Sequence, residues 1–124
     1  MADFNRYDIL KSLKDTFRSV FDTIYYTDRP NSTTSQKDTF LVIRNGAMSD
    51  EHAYGDTYVS LMIFKKDIEG VENTKELDKI VKSAVSLLPI NNSLFYTEHP
   101  QLLQNKSDGS GFHYTTVYFG ITIK

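Results

Sequence analysis

Two stretches of the chain repeat apolar residues at three- and four-residue steps, the spacing that lines up side chains on one face of a helix. They run from Asn5 to Tyr25 and from Asn73 to Leu88. The second begins with a pattern like a capping box, Asn73-Thr74-Lys75-Glu76, and Pro89 prevents its clean continuation. The spacing predicts two amphipathic helices. Their apolar stripes are Ile9, Leu10, Leu13, Phe17, Val20, Phe21 and Ile24 in the first, and Leu77, Ile80, Val81, Ala84, Val85 and Leu88 in the second.

Four other segments have the composition of strands. Phe40-Leu41-Val42-Ile43 is apolar on both faces, as in a buried central strand, and Ser93 to Glu98 is a short candidate. Asp56 to Lys66 and Phe112 to Ile123 alternate with period two. In these long strands one face holds Val59, Leu61, Ile63, Val117, Phe119, Ile121 and Ile123, and the other holds Tyr58, Ser60, Met62, Phe64, Tyr114, Thr116, Tyr118 and Thr122.

The order helix–strand–strand therefore occurs twice, which predicts an α+β fold of order α-β-β-α-β-β. We expect both helices to pack on one face of a four-stranded sheet, mainly antiparallel or mixed. Polar segments such as Asn31 to Gln36 and Pro100 to Gly111 are predicted to be loops. With 124 residues the chain has the usual size of one domain, predicted to span residues 1–124.

Composition narrows the classes of function. A net charge of −2 argues against a general phosphate-binding surface, because nucleic-acid binders usually cluster Lys and Arg. The absence of cysteine excludes disulfides, thiolate catalysis and Cys-type zinc sites. The polar N-terminus and the short apolar runs predict a soluble, unexported chain that does not interact with membranes.

Reactive residues form no recognisable catalytic pattern. His52, His99 and His113 are scattered, and none lies at helical spacing from another. Asp50-Glu51-His52 could bind a hard cation but is typical of a solvated acidic loop. Glu98-His99 could act as an acid–base pair, although adjacent strand residues point to opposite faces. We therefore predict no catalytic residue, no cofactor site and no metal site, while a triad assembled in space stays an open alternative.

A subunit or partner interface is the candidate site. The second side of the long strand would expose apolar side chains to water, and such patches often mark interfaces. The preceding loop, Met48 to Asp56, combines acids with an aromatic residue, which suits a polar rim around an anchor. The alternative is that loops of the same chain cover this face. The candidate interface residues are Met48, Asp50, Glu51, His52, Tyr54, Asp56, Tyr58, Met62 and Phe64.

The whole layout resembles the phage tail terminator, or tail completion, proteins. The resemblance is carried by the helix Ile9 to Ile24, the strands Phe40 to Ile43 and Tyr58 to Phe64, the helix Leu77 to Leu88 and the last strand, His113 to Ile123. It implies a non-enzymatic virion protein that forms a ring, commonly a hexamer. Such a ring caps the tail tube and joins it to the head connector.

The implied partners are other copies of the chain, the tail tube protein and the head–tail connector protein. Genome DNA would pass through without sequence-specific binding. The implied location is the head–tail interface of the virion, with assembly in the host cytoplasm. The alternatives are a head–tail connector adaptor, another small scaffold or interaction module, or a small enzyme.

Overall fold

The structure is a computed structural model that describes residues 6–26, 38–45, 56–103 and 105–123. Within these residues the chain forms two helices and seven strands. The order is α1 (Arg6–Phe17), β1 (Ile24–Tyr26), β2 (Thr39–Asn45), β3 (Asp56–Lys66), α2 (Thr74–Val85), β4 (Phe95–Thr97), β5 (Gln101–Leu102), β6 (Lys106–Ser107) and β7 (Phe112–Ile123).

All seven strands belong to one mixed sheet of order β1-β2-β3-β7-β4, with β5 and β6 also paired to β7. The pairing of β1 with β2 is parallel, and the other pairs are antiparallel. The sheet curls into a half-barrel. The predicted four-stranded sheet carrying two helices is therefore wrong: the sequence pattern missed β1, β5 and β6.

The strand β1 was missed because its residues continue the helical stripe of α1. The helix ends at Phe17, whose carbonyl oxygen accepts from the backbone N–H groups of both Val20 and Phe21 at 3.0 Å. Ile24, Tyr25 and Tyr26 then pair with β2. β-Branched and aromatic residues favour strands, and pairing with β2 satisfies their backbone groups.

The strands β5 and β6 were missed because each is only two residues long, which is too short to show an alternating pattern. Together with β4 they form one interrupted edge strand along β7. From the pair Thr97–Ile121 to the pair Gln101–Tyr118, the edge strand uses four residues, whereas β7 uses three. The same one-residue offset recurs before Lys106. Each offset inserts one extra residue into the edge, which is the pattern of a β-bulge.

Several predicted elements are confirmed. The two long strands have the predicted bounds, Asp56–Lys66 and Phe112–Ile123. The second helix starts where the capping pattern predicts, because the Asn73 side chain accepts from the backbone N–H of Glu76 at 3.4 Å. No helix in the described part of the chain is long and apolar enough to cross a bilayer.

The main core lies between the helices and one face of the sheet, here called the helix face. From the helices it takes Leu13, Phe17, Val81 and Ala84, which are buried as predicted, whereas Ile80 and Val85 are only partly buried. From the sheet the cluster takes Leu41, Ile43, Val59, Leu61, Ile63, Phe95, Val117, Phe119 and Ile121.

Candidate interaction surface

The opposite side of the sheet, here called the second face, carries the alternate side chains of β2, β3 and β7. The register aligns Phe40 with Phe64 and Phe64 with Tyr114. One step along, Val42 is opposite Met62. Because directly opposite residues share a face, these side chains form rows across the sheet.

One end of the second face is a buried aromatic cluster. Phe40 stacks on Phe64 with ring centroids 4.6 Å apart and contacts Phe112 edge-on at 5.4 Å. Tyr114 lies 4.9 Å from Phe64, measured between ring centroids. Phe40, Phe64 and Phe112 are all buried. The chain therefore has a second small core, in addition to the one under the helices.

This arrangement separates the predicted interface residues. Phe64 is only 4% exposed and packs within its own chain, whereas Tyr58 is 52% exposed on the same strand. Met62 is half-buried between them. Asp56 begins β3 and is described only by its backbone. The remaining predicted residues, Met48, Asp50, Glu51, His52 and Tyr54, lie outside the described residues.

Tyr58 lies beside a second feature, which the sequence analysis did not identify. It is directly opposite Gly120 of β7. On the other side of Gly120, the backbone N–H of Glu98 donates to the Gly120 carbonyl oxygen at 2.9 Å. A Cβ at position 120 would lie 2.6 Å from Glu98 Oε2, so the glycine leaves space that the carboxylate occupies. The signal in the sequence is an isolated glycine inside a strand pattern.

A pocket of 440 Å³ opens next to this carboxylate. One wall of the pocket is the segment before β4, and this segment pairs with β4. The Ile90 N–H donates to the buried Thr97 hydroxyl at 2.8 Å, and Asn91 is opposite Tyr96. The pocket is lined by Pro89, Ile90, Asn91, Tyr96, Thr97, Glu98 and His99.

Two of the three histidines are described, and they lie apart. His99 is exposed at the pocket. His113 Nδ1 lies 2.6 Å from Asp67 Oδ1, and the Asp67 side chain is 8% exposed. This contact joins the end of β3 to the start of β7. Within the described residues no group of three or more His, Cys, Asp or Glu side chains could hold a metal ion.

Tyr26 lies on the helix face and has a raised pKa. Burial of the phenol is the main cause and raises its pKa above the usual 10.0. Nearby Tyr7 and Asp15 raise the pKa further, while Arg18 lowers it. The Tyr26 ring also packs edge-on against Tyr7 at 6.1 Å between centroids.

Comparison with known proteins assigns no family. The sequence matches no protein-family model, and no curated protein matches it.

Proposed function

We propose that this chain is a structural subunit that assembles into a ring of the tail-terminator type, commonly a hexamer, at the end of a phage tail tube. The observation that carries the proposal is Tyr58, which is 52% exposed on the second face, the face that also carries half-buried Met62. Both described helices pack on the other face of the sheet. Tyrosine is enriched at protein interfaces because its ring is apolar and its hydroxyl is polar.

The strand that carries Tyr58 supports a role in assembly. Tyr58 projects from β3, a central strand that pairs with β7 at this position and with β2 from Val59 onward. On the same face, Phe40 and Phe64 anchor that strand in a buried cluster. A side chain held on a rigid strand loses less conformational entropy on association than one on a loop. The surface therefore suits a repeated contact between identical subunits.

The proposed contact also includes the acidic segment that precedes β3 in the sequence. Its candidate residues are Met48, Asp50, Glu51, His52, Tyr54 and Asp56. A ring requires a heterologous contact, in which one patch meets a different patch on the next subunit. Acidic side chains around an aromatic anchor would supply the polar rim of such a contact.

The proposed partners are the tail tube protein on one side of the ring and the head–tail connector protein on the other. The proposed location is the head–tail interface of the virion. The net charge of −2 supports this role, because the chain has no excess of cations. A conduit built from such subunits would not retain the passing genome.

The test is sedimentation of the purified chain, combined with negative-stain microscopy. We expect wild-type protein to form rings of uniform size, alone or after mixing with tail tubes. Tyr58→Glu should weaken ring formation because it places a charge in a contact that excludes water. Circular dichroism should show that the variant stays folded.

The matched control is Tyr7→Glu. Tyr7 is 57% exposed on α1, nearly the same fraction as Tyr58, but it lies on a helix. Rings should survive this change. A wild type that stays monomeric at high concentration, and also with tail tubes, would overturn the proposal. So would equal loss of rings in both variants. A ring that binds only the connector would instead identify a connector adaptor.

A further inference from the structure

The pocket beside β4 contains one carboxylate, from Glu98, and one aromatic ring, from Tyr96. Most of its lining surface is apolar. Tyr96 and Glu98 are two residues apart on an extended edge, so both side chains project from the second face. Tyr96 is 43% exposed, and Glu98 is exposed as well. Pro89 and Ile90 contribute apolar surface. A volume of 440 Å³ is near the lower end of the usual range for ligand pockets, about 300–1,000 Å³.

The backbone of Glu98 is held in the sheet, and its carboxylate has no cationic partner among the residues that the structure describes. Its backbone N–H is bonded to the Gly120 carbonyl oxygen, and its carboxylate occupies the space over Gly120. Among the residues that the structure describes, no lysine or arginine forms an ion pair with Glu98. A glycine inside a strand lowers stability and often marks a close approach by another group.

We propose that this pocket binds the guanidinium group of an arginine side chain presented by a protein partner. A carboxylate forms strong, charge-assisted hydrogen bonds with guanidinium, and a tyrosine face attracts the same cation. The planar guanidinium stacks on aromatic rings, which the compact lysine ammonium does not. A purely apolar ligand would bury the Glu98 carboxylate without a partner, at a cost in free energy.

The test is an NMR titration of the full chain with N-acetyl-argininamide. Amide signals of Asn91, Tyr96 and Glu98 should shift in a saturable manner. N-acetyl-citrullinamide has nearly the same shape without the charge, and it should bind at least about fivefold more weakly. Glu98→Gln should weaken arginine binding by a similar factor, while Glu69→Gln, at an exposed acid in a turn, should leave it unchanged.

Gly120→Ala is a second test variant. It keeps the charge of the Glu98 carboxylate but displaces the carboxylate. The new Cβ would lie 2.6 Å from Glu98 Oε2, so the flexible carboxylate must shift away. Arginine binding should weaken as it does for Glu98→Gln. Equal binding of the citrulline compound, or unchanged arginine binding in both variants, would overturn the proposal. The titration detects binding at this pocket in monomer or ring, so its outcome is separate from that of the ring test.

Discussion

Phe40 and Phe64 face each other across β2 and β3 with ring centroids 4.6 Å apart and ring planes only 11° apart. This stack joins β2 and β3 on the second face of the sheet through a contact within the chain. It explains why Phe64, although it lies on the same face of β3 as exposed Tyr58, contributes to stability and is not available to a partner.

Truncating the stack should therefore unfold the protein more easily. Phe64→Ala should lower the free energy of unfolding by about 3–5 kcal/mol, since it leaves a cavity in a buried cluster. Tyr58→Ala, on the same face of the same strand, should cost at most about 1 kcal/mol. Urea unfolding measures both. A double-mutant cycle with Phe40→Ala should give a coupling of about 0.5–1.5 kcal/mol. Equal costs for Phe64 and Tyr58 would contradict this assignment.

A buried and a partly buried residue can also be compared in the core on the helix face. Phe17 is fully buried, whereas Ile80 is only partly buried at the edge of the same cluster. Phe17→Ala should cost about 3–5 kcal/mol and Ile80→Ala less than about 2 kcal/mol, because the partly buried site leaves a smaller cavity. Denaturation midpoints at constant slope would measure the difference. A larger loss at Ile80 would show that α2, and not α1, supplies the more tightly packed residue.

The cap of α2 should make a measurable contribution of its own. Asn73 accepts from the Glu76 backbone N–H, one of the donors that a helix leaves unpaired at its start. Asn73→Ala should destabilise the fold by about 1 kcal/mol, while Asn73→Asp keeps an acceptor and should be close to wild type. Thermal unfolding of the three proteins provides the comparison. Similar losses for both variants would argue against the cap.

Substituting the two described histidines, His99 and His113, should change the free energy of unfolding by different amounts. His113→Ala removes the imidazole that bonds to the nearly buried Asp67 carboxylate, and should cost about 1–3 kcal/mol. His99→Ala changes an exposed side chain and should alter stability by about 0.5 kcal/mol or less. Chemical denaturation near neutral pH measures both. A neutral His113→Ala would show that the contact with Asp67 adds nothing to the fold.

Stability at high pH should depend on Tyr26. Its pKa is raised above 10.0 in the folded chain, mainly by burial, so the unfolded chain loses the phenolic proton first. The contribution is fully present below pH 10.0 and is lost as the pH rises through the folded pKa. Tyr26→Phe should therefore reduce the decline in unfolding free energy above that pH.

Tyr25→Phe is the matched control for this pH effect, since Tyr25 is the neighbouring strand residue and packs edge-on against Phe40 on the second face. Comparing the two variants separates the effect of the Tyr26 position from the loss of a phenol hydroxyl in the same strand. Unfolding free energies at pH 9 and pH 11, about one unit either side of the unperturbed tyrosine pKa, would make the comparison. Identical declines in wild type and Tyr26→Phe would rule out the coupling.

The long strands were predictable because one side chain in two belongs to a buried face. Val59, Leu61 and Ile63 carry that alternation clearly, and the structure gives β3 the bounds that the pattern predicts. The second helix was predictable for a related reason: an apolar stripe begins at a capping residue, Asn73, and ends close to Pro89. In both cases the local preference and the tertiary contacts agree.

The remaining strands depend on information that side-chain patterns do not carry. Ile24 fits a helical stripe and a strand equally well, and parallel pairing with Leu41 decides in favour of the strand. Gln101 and Lys106 join the sheet through backbone hydrogen bonds to an edge that β7 would otherwise leave unpaired. The carboxylate of Glu98 over Gly120 arises from pairing along the same edge, so the isolated glycine in the sequence was not enough to locate the pocket.

The one-residue offsets along the β4–β6 edge bear on how the protein behaves at high concentration. An uninterrupted strand at this edge would present a regular row of amide and carbonyl groups, which is the template that amyloid growth requires. The extra residues before Gln101 and Lys106 break that row twice and shift its register each time. We therefore expect this edge to be a poorer template for fibril growth than an uninterrupted strand of the same length.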